Sequence, residues 1–280
     1  MTQLIAIIKE LEAFAPLAFQ EDYDNSGLQT GHPEMEISGA LITLDVTEKV
    51  LEEAISKNCN LIVAHHPLTL KGIKTLTGKN EPERILISAI RNNLAIYSAH
   101  TNMDSIENGV STIFARKLGL QKIKILQPRE GLLLKLVTFV PTDYAKNVRE
   151  ALFAAGAGFI GNYDSCSYNI SGEGTFRGGE NTNPFTGQKG ELHYEKEQRI
   201  ETIVPAHLKN KILQVLFAAH PYEEVAYDFY PLDNHWEQVG FGAIGELDEE
   251  ISEERFLGLL KKTTGAGCIR HTELRKKPVK

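Results

Sequence analysis

The chain has 280 residues, of which 42% are hydrophobic, and a formal net charge of -7. This apolar content is enough for two moderate domains. The acidic balance argues against a general affinity for nucleic acid or anionic membranes, because both need concentrated lysine and arginine. No apolar run approaches the ~18 residues of a membrane-spanning helix, and the N-terminus has no signal-peptide form. We therefore expect a cytoplasmic protein with no membrane partner.

The first part of the chain alternates helical and extended patterns. Leu4, Ile7, Ile8 and Leu11 share one helical face, with Thr2 available as the N-cap. The predicted elements that follow are strand 40–44, helix 47–57, strand 61–64, helix 82–91, strand 94–98 and helix 108–118. This rhythm predicts an α/β sheet with helices packed on its faces. In such open sheets, ligands collect at the carboxyl ends of the strands.

Two motifs lie at predicted strand ends: Ala64-His65-His66-Pro67 and His100-Thr101-Asn102-Met103-Asp104. Adjacent strand residues point to opposite faces, so neighbouring histidines can hardly bind one ion from within a strand. At the strand exit they can reach two ions lying side by side. Imidazole and carboxylate suit zinc, manganese, iron or nickel, and two such ions about 3.5–4 Å apart form a usual site for metal-assisted hydrolysis.

A purely structural interpretation of the same residues also exists. His65 and His66 are then ordinary strand-end histidines, and Asp104 only caps the next helix. Asp45 also follows a strand, but an aspartate before a helix is more often a cap, so we leave it outside the ligand set. We interpret the loop around Asn25, within Asp24-Asn25-Ser26-Gly27, as a cleft wall.

A second rhythm begins after the connector 125–131, which contains Pro and Gly. Its predicted elements are strand 132–140, helix 143–155, strand 167–176, strand 201–204, helix 206–218 and strand 225–230. Strand-helix-strand repeated twice is the ferredoxin-like split arrangement. We interpret His220-Pro221-Tyr222-Glu223-Glu224 as organising a turn rather than binding metal. Segment 239–247 then leads back to the first domain, followed by a helix at 252–262 and a strand at 268–271.

Four motifs in this order resemble the Nif-three-like family of dinuclear-metal-centre proteins, known as GTP cyclohydrolase 1 type 2 homologues. They are the segment 21–31, the His-His-Pro motif, the His-Thr-Asn-Met-Asp motif and the segment 220–228. The resemblance runs from Leu4 to about Thr272. It implies a layered α/β metal-binding domain at 1–127 and 236–280. A ferredoxin-like α+β insert, similar to PII and CutA, is expected at 128–235.

The resemblance also implies roles for the site residues. His65 and Asp104 would hold one divalent ion and His66 the other. His100 would lie beside them, either supporting the ligands or acting as the catalytic proton-transfer group. Family members of the long form continue with a segment that carries a late His and Glu to the metals, so we expect either that this chain is a truncated or split form or that its site is made differently. His271 with Glu273, and His235 with Glu237, offer similar chemistry outside the family's context.

The function implied is metal-dependent hydrolysis of a nucleotide-like substrate or phosphoester. The family also implies a homo-oligomer, a toroidal hexamer in its complete form. The competing interpretation is a non-catalytic metal-binding regulator or scaffold with a metabolite-sensing insert. A general phosphodiesterase is a third possibility. Turnover separates them, because a regulator binds nucleotide without consuming it and a phosphodiesterase does not open the GTP ring.

Overall fold

The computed structural model describes residues 2–280. The chain forms two compact units. The first unit consists of Met1–Gln127 and Gln238–Lys280, and the second, which we call the insert, is Pro128–Glu237. Within residues 2–280, every helix is too short or too polar to cross a lipid bilayer.

The first unit has the predicted α/β character. Its elements before the insert are β1 (Thr2–Gln3), α1 (Leu4–Phe14), β2 (Gly27–Thr30), β3 (Glu36–Ile37), β4 (Ala40–Thr43), α2 (Glu48–Ser56), β5 (Leu61–Ala64), α3 (Glu81–Arg91), β6 (Ala95–Ser98), α4 (Thr101–Asp104), α5 (Val110–Lys117) and β7 (Gln121–Arg129). The main sheet has the order β2-β6-β5-β4. Strands β4, β5 and β6 are parallel, and β2 is antiparallel to β6.

Helices cover both faces of this sheet. Ile62 and Ile96 are fully buried in one apolar cluster, together with residues of α2 and α3. Their neighbours Leu61 and Tyr97 belong to a second cluster, which includes Leu4 of α1. Successive strand residues alternate between faces, so these two clusters are the two sides of a layered α/β unit.

Several predicted boundaries of the first unit need correction. Thr2 does not cap α1: it pairs with Ile37 in a two-stranded sheet of β1 and β3, and the N-cap residue Gln3 makes no side-chain cap bond. Strand β2 was missed, because its four residues carry no apolar alternation and follow the turn at Asn25. The connector predicted at 125–131 is extended chain up to Arg129.

The insert has the ferredoxin-like topology that the sequence predicts. Its elements are β8 (Leu133–Pro141), α6 (Ala145–Ala154), β9 (Ser167–Arg177), β10 (Leu192–Pro205), α7 (Lys209–Ala219) and β11 (Tyr227–Leu232). The four strands are antiparallel in the order β11-β8-β10-β9. Leu136, Leu152, Ile200 and Leu216 are buried in one core between this sheet and the two helices.

The chain returns to the first unit through β12 (Trp236–Glu246), which pairs with β7. The last helix is α8 (Glu253–Thr264). Ser252 caps α8 by accepting a hydrogen bond from the Arg255 N–H at 3.3 Å. The strand predicted at 268–271 is wrong. That segment has no regular structure, because no strand among residues 2–280 lies beside it to pair with.

Candidate metal centre

The three histidines of the two strand-end motifs lie at one edge of the main sheet. His65 and His66 directly follow β5, and His100 lies two residues after β6. Backbone pairing continues past the strand ends: the His66 N–H donates to the Leu44 carbonyl at 2.9 Å, and the Ala99 N–H donates to the Ala64 carbonyl at 2.9 Å. Because β5 and β6 are parallel neighbours, their carboxyl ends lie at the same edge of the sheet. The backbone therefore brings the Cα atoms of all three histidines to that edge.

The three rings form a nearly equilateral triangle. Ring centroids are 5.0 Å apart for His65 and His66, 5.2 Å for His65 and His100, and 5.4 Å for His66 and His100. One ring nitrogen of each lies within 4.8 Å of the others. Among residues 2–280, no other group of three or more His, Cys, Asp or Glu side chains has this spacing. The pairs His271 with Glu273 and His235 with Glu237 belong to no such group.

Each imidazole is held by its Nδ1 atom. The Nδ1 of His65 lies 2.9 Å from the carbonyl oxygen of Ala99. The Nδ1 of His66 lies 2.7 Å from Asp45 Oδ1, and that of His100 lies 2.8 Å from Asp24 Oδ1. Carbonyl and carboxylate oxygens accept hydrogen bonds, so Nδ1 carries the proton of each neutral ring. The lone pair on Nε2 is then left for a ligand, the usual arrangement around metal-binding histidines.

Asp24 is a buried anchor that the sequence interpretation missed. Its side chain has no exposed surface. Besides His100, it accepts hydrogen bonds from the Asn25 N–H, the Ser26 hydroxyl, and both the N–H and the hydroxyl of Thr101. Burial raises the pKa of Asp24, but the bonds from Thr101, His100 and its own turn outweigh it and hold the pKa well below its usual range. Asp24 is therefore a charged group that orients His100.

Asp45 does not have the capping role that the sequence predicted. The cap of α2 is Thr47, whose hydroxyl accepts a hydrogen bond from the Val50 N–H at 3.3 Å. Asp45 lies too early to reach the first turn, and its carboxylate binds His66 instead. The Asp45 side chain is 60% exposed, so His66 is held at the solvent side of the cluster.

Asp104 lies on the side of His65. Its Oδ1 is 3.8 Å from His65 Nε2, which is longer than a hydrogen bond. The N–H of Asp104 donates to the His100 carbonyl, so the single turn of α4 places the carboxylate next to the triangle. The alternative that Asp104 caps the next helix is wrong, because the N-cap position of α5 is Gly109.

The loop before β2 was expected to form only a wall of the cleft, but its residues are hydrogen-bonded to the site itself. Ser26 is bonded to Asp24 and accepts a hydrogen bond from the His100 N–H at 3.3 Å. The Asn25 side chain donates to the Thr69 carbonyl at 2.9 Å. The sequence signal that could have identified Asp24 is its place in the segment 21–31, which carries part of the family resemblance.

Comparisons with known proteins agree with these motifs. The profile described as Duf34/NIF3 (NGG1p interacting factor 3) matches residues 2–280. The chain belongs to the DUF34/NIF3 family.

Its relatives in this family extend over nearly the whole chain. It is 43% identical over 257 residues to a GTP cyclohydrolase 1 type 2 homolog of Halalkalibacterium halodurans, covering 91% of this chain and 69% of that protein. It is 36% identical to the homolog of Bacillus subtilis, covering 94% of this chain and 71% of that protein. The crystal structure of a Bacillus cereus protein related to NIF3 superposes with a TM-score of 0.82 at 40% identity, covering 95% of this chain and 71% of that one.

The donor set of this DUF34/NIF3 chain fits a divalent transition metal. Three imidazoles with engaged Nδ1 atoms leave three Nε2 atoms for coordination, and Asp104 adds a carboxylate beside His65. Nitrogen and carboxylate ligands together suit zinc, manganese, iron or nickel. His65, His66 and Asp104 are the residues that would hold metal here, His100 lies beside them with its Nε2 free, and Asp24 and Asp45 would orient the rings.

Proposed function

We propose that this DUF34/NIF3 protein is a metal-dependent hydrolase that acts on a small polar substrate, either a nucleotide or a phosphoester. The observation that carries the proposal is the triangle of three histidines at the carboxyl edge of the sheet, each with Nδ1 engaged by a separate acceptor. An imidazole whose Nδ1 is hydrogen-bonded and whose Nε2 is left over is the usual form of a metal-binding histidine, and His65 and His66 both have it. The curated relatives carry the name GTP cyclohydrolase 1 type 2 homolog, which makes GTP the first substrate to test.

The proposed cofactor is a pair of divalent ions from the group zinc, manganese, iron and nickel. His65 and Asp104, with 3.8 Å between Nε2 and Oδ1, would hold one ion, and His66 would hold the other. A bound ion supplies Lewis-acid chemistry, which polarises a substrate oxygen and eases the deprotonation of water.

His100 is the proposed proton-transfer group, although its ring stands as close to the other two as they do to each other. The buried carboxylate of Asp24 accepts the hydrogen bond from His100 Nδ1, which orients the ring and leaves Nε2 free to accept a proton. His100 can then take a proton from water and return it to a leaving group.

The experiment compares metal binding and turnover in matched variants. The purified chain is stripped with a chelator, reloaded with zinc or manganese and dialysed, and bound metal is measured by elemental analysis. We expect His66→Ala and Asp104→Ala to hold less metal than the parent chain. The control is His271→Ala, an exposed histidine that hydrogen-bonds its neighbour Thr272 and lies outside the cluster.

Turnover of GTP and of a model phosphodiester is then measured on the same samples. His100→Ala should retain folding and lose activity by about 100-fold or more, the size of a general acid–base contribution. Equal metal content in His66→Ala and His271→Ala would overturn the proposed site. Full metal occupancy without turnover of either substrate would overturn the hydrolase proposal and favour the regulator.

A further inference from the structure

A cavity of about 600 Å³ lies entirely within the insert, away from the residues of the proposed hydrolytic site. Its floor is the face of the sheet that the helices leave uncovered. Leu136 and Ile200 face the helices, whereas Phe139 and Arg199 pair across β8 and β10 on the opposite face. A cavity of this size is typical of a small-molecule site.

The cavity contains a buried carboxylate with incomplete hydrogen bonding. Glu197 is only 9% exposed, and its Oε1 accepts a hydrogen bond from the Tyr222 hydroxyl at 2.8 Å. Among residues 2–280, the structure provides no hydrogen-bond donor for Oε2. Gly174 lies directly beneath this carboxylate, and a Cβ there would collide with Oε2. Oε2 therefore faces the cavity, where a bound donor would form a charge-assisted hydrogen bond with this carboxylate.

Aromatic rings stand beside this carboxylate. The ring centroid of Tyr222 is 6.0 Å from that of Phe176 and 6.1 Å from that of Phe185. His220 fixes the position of Tyr222: its Nε2 donates to the Phe139 carbonyl at 3.0 Å, and its Nδ1 accepts from the Tyr222 N–H at 3.1 Å. This confirms that the His-Pro-Tyr-Glu-Glu motif organises a turn. It also shows that the turn builds one wall of the cavity.

The electrostatics of the lining favour a cation. Burial, the hydrogen bond to Glu197 and the charges of Glu197 and Glu195 raise the pKa of Tyr222, so the phenol remains a donor. Glu197 and Arg199 lie on the face of the sheet that forms the floor, and Glu223 and Glu224 lie in the turn beside it. Glu173 and Arg177 also border the cavity, but they alternate with Gly174 and Phe176 and belong to the opposite face of β9. Arg199 is already engaged, because its Nε donates to Glu201 at 2.8 Å and its Cζ lies 5.6 Å from the Phe139 ring centroid.

We propose that this cavity binds a small organic cation, a primary ammonium group carried on an apolar body. The ammonium group donates to Glu197 Oε2, completing the hydrogen bonding of that carboxylate. The body packs against the rings of Phe176 and Tyr222, whose faces also attract the positive charge.

The test uses the full chain and three probes that share one apolar body: 2-phenylethylammonium, 2-phenylethanol and 3-phenylpropanoate. Isothermal titration calorimetry should show saturable binding of the ammonium probe. The alcohol and the carboxylate should bind at least about tenfold more weakly, since the alcohol brings no positive charge to pair with Glu197 and the carboxylate is repelled by it. Tightest binding of the carboxylate would assign the cavity to anions through Arg177 and Arg199. The proposal is overturned if the carboxylate binds most tightly, if the ammonium and alcohol probes bind equally, or if no probe binds.

Variants locate the binding. Glu197→Gln keeps the side-chain shape and removes the charge, and it should weaken the ammonium probe by about tenfold or more. Gly174→Ala should weaken it independently, by displacing the carboxylate. The control Glu191→Gln removes an exposed charge from the same unit outside the cavity lining and should leave binding unchanged. If Glu197→Gln lowers the melting temperature sharply, the affinity of Gly174→Ala for the ammonium probe decides whether the probe binds at Glu197. Undiminished binding in the folded variants contradicts the assignment.

Discussion

Asp24 Oδ1 and His100 Nδ1 lie 2.8 Å apart, although 76 residues separate them in the chain. The Asp24 side chain is fully buried and that of His100 is 17% exposed. The second carboxylate–imidazole pair of the cluster, between Asp45 Oδ1 and His66 Nδ1, joins the same two atom types at 2.7 Å but is largely exposed. The two aspartates therefore perform one chemical task in different surroundings, and they should differ in what they contribute to stability.

The buried Asp24 should stabilise the folded state. Asp24→Asn removes a charge that accepts several hydrogen bonds, so we expect the free energy of unfolding to fall by about 1–3 kcal/mol in urea denaturation. The matched control is Asp22→Asn, two residues away and exposed, which should change stability by less than about 0.5 kcal/mol. Equal stability of the two variants would contradict an anchoring role for Asp24.

The exposed Asp45 should instead affect the affinity of the site for metal. Asp45→Asn should leave the stability of the metal-free chain nearly unchanged, because exposed polar pairs contribute little. It should still weaken zinc binding by about 10–100-fold, since a carboxylate that orients a ligating imidazole also raises its basicity. Competition titration with a chromophoric chelator measures this. Unchanged zinc affinity would remove His66 from the proposed ligand set.

Glu83 should make stability depend on pH. It is buried at the start of α3, where the Thr77 N–H, the Thr77 hydroxyl and the Lys79 N–H donate to its carboxylate. The hydrogen bonds from Thr77 lower the pKa of Glu83 to about 2 from its ordinary 4.5. A carboxyl group with a lowered pKa stabilises the fold above the unfolded-state pKa, and the contribution disappears as pH falls through the folded-state pKa.

The corresponding measurement compares Glu83→Gln with the parent chain by thermal denaturation. We expect the variant to melt at lower temperature at pH 6, and the difference to shrink between pH 4.5 and pH 2. Glu81→Gln, which changes an exposed glutamate in the same first turn, is the control and should show a smaller difference. A difference for Glu83→Gln that is constant down to pH 2 would be inconsistent with this assignment.

The insert should fold when expressed alone as residues 128–237, because its sheet and both helices share one closed core. Its amide NMR spectrum should be dispersed. Within this fragment, Leu216→Ala removes a fully buried side chain and should cost about 2–5 kcal/mol. Leu192→Ala, at a position that is 48% exposed, is the control and should cost far less. A collapsed amide spectrum would show that the insert depends on the rest of the chain.

The sequence by itself determined the order of elements and the position of the histidines. Apolar periodicity is a local signal, so β5, α3 and β6 were predicted to within a residue. The same locality placed His65, His66 and His100 at strand ends. In the insert, the strand-helix-strand repeat was enough to predict the topology, because few arrangements satisfy short connections and one core.

Only the tertiary structure decided which polar groups contact the histidines and how far the polar strand β10 extends. Asp24 and Asp45 meet their histidines 76 and 21 residues away, and no local pattern distinguishes such a carboxylate from a cap. β10 begins at Leu192, although the sequence predicted a strand only from 201. Its polar residues line a cavity rather than the core, so the hydrophobic alternation that marks a strand is absent there. Polar contacts are specified by partners distant in the chain, and these meet only when the whole fold forms.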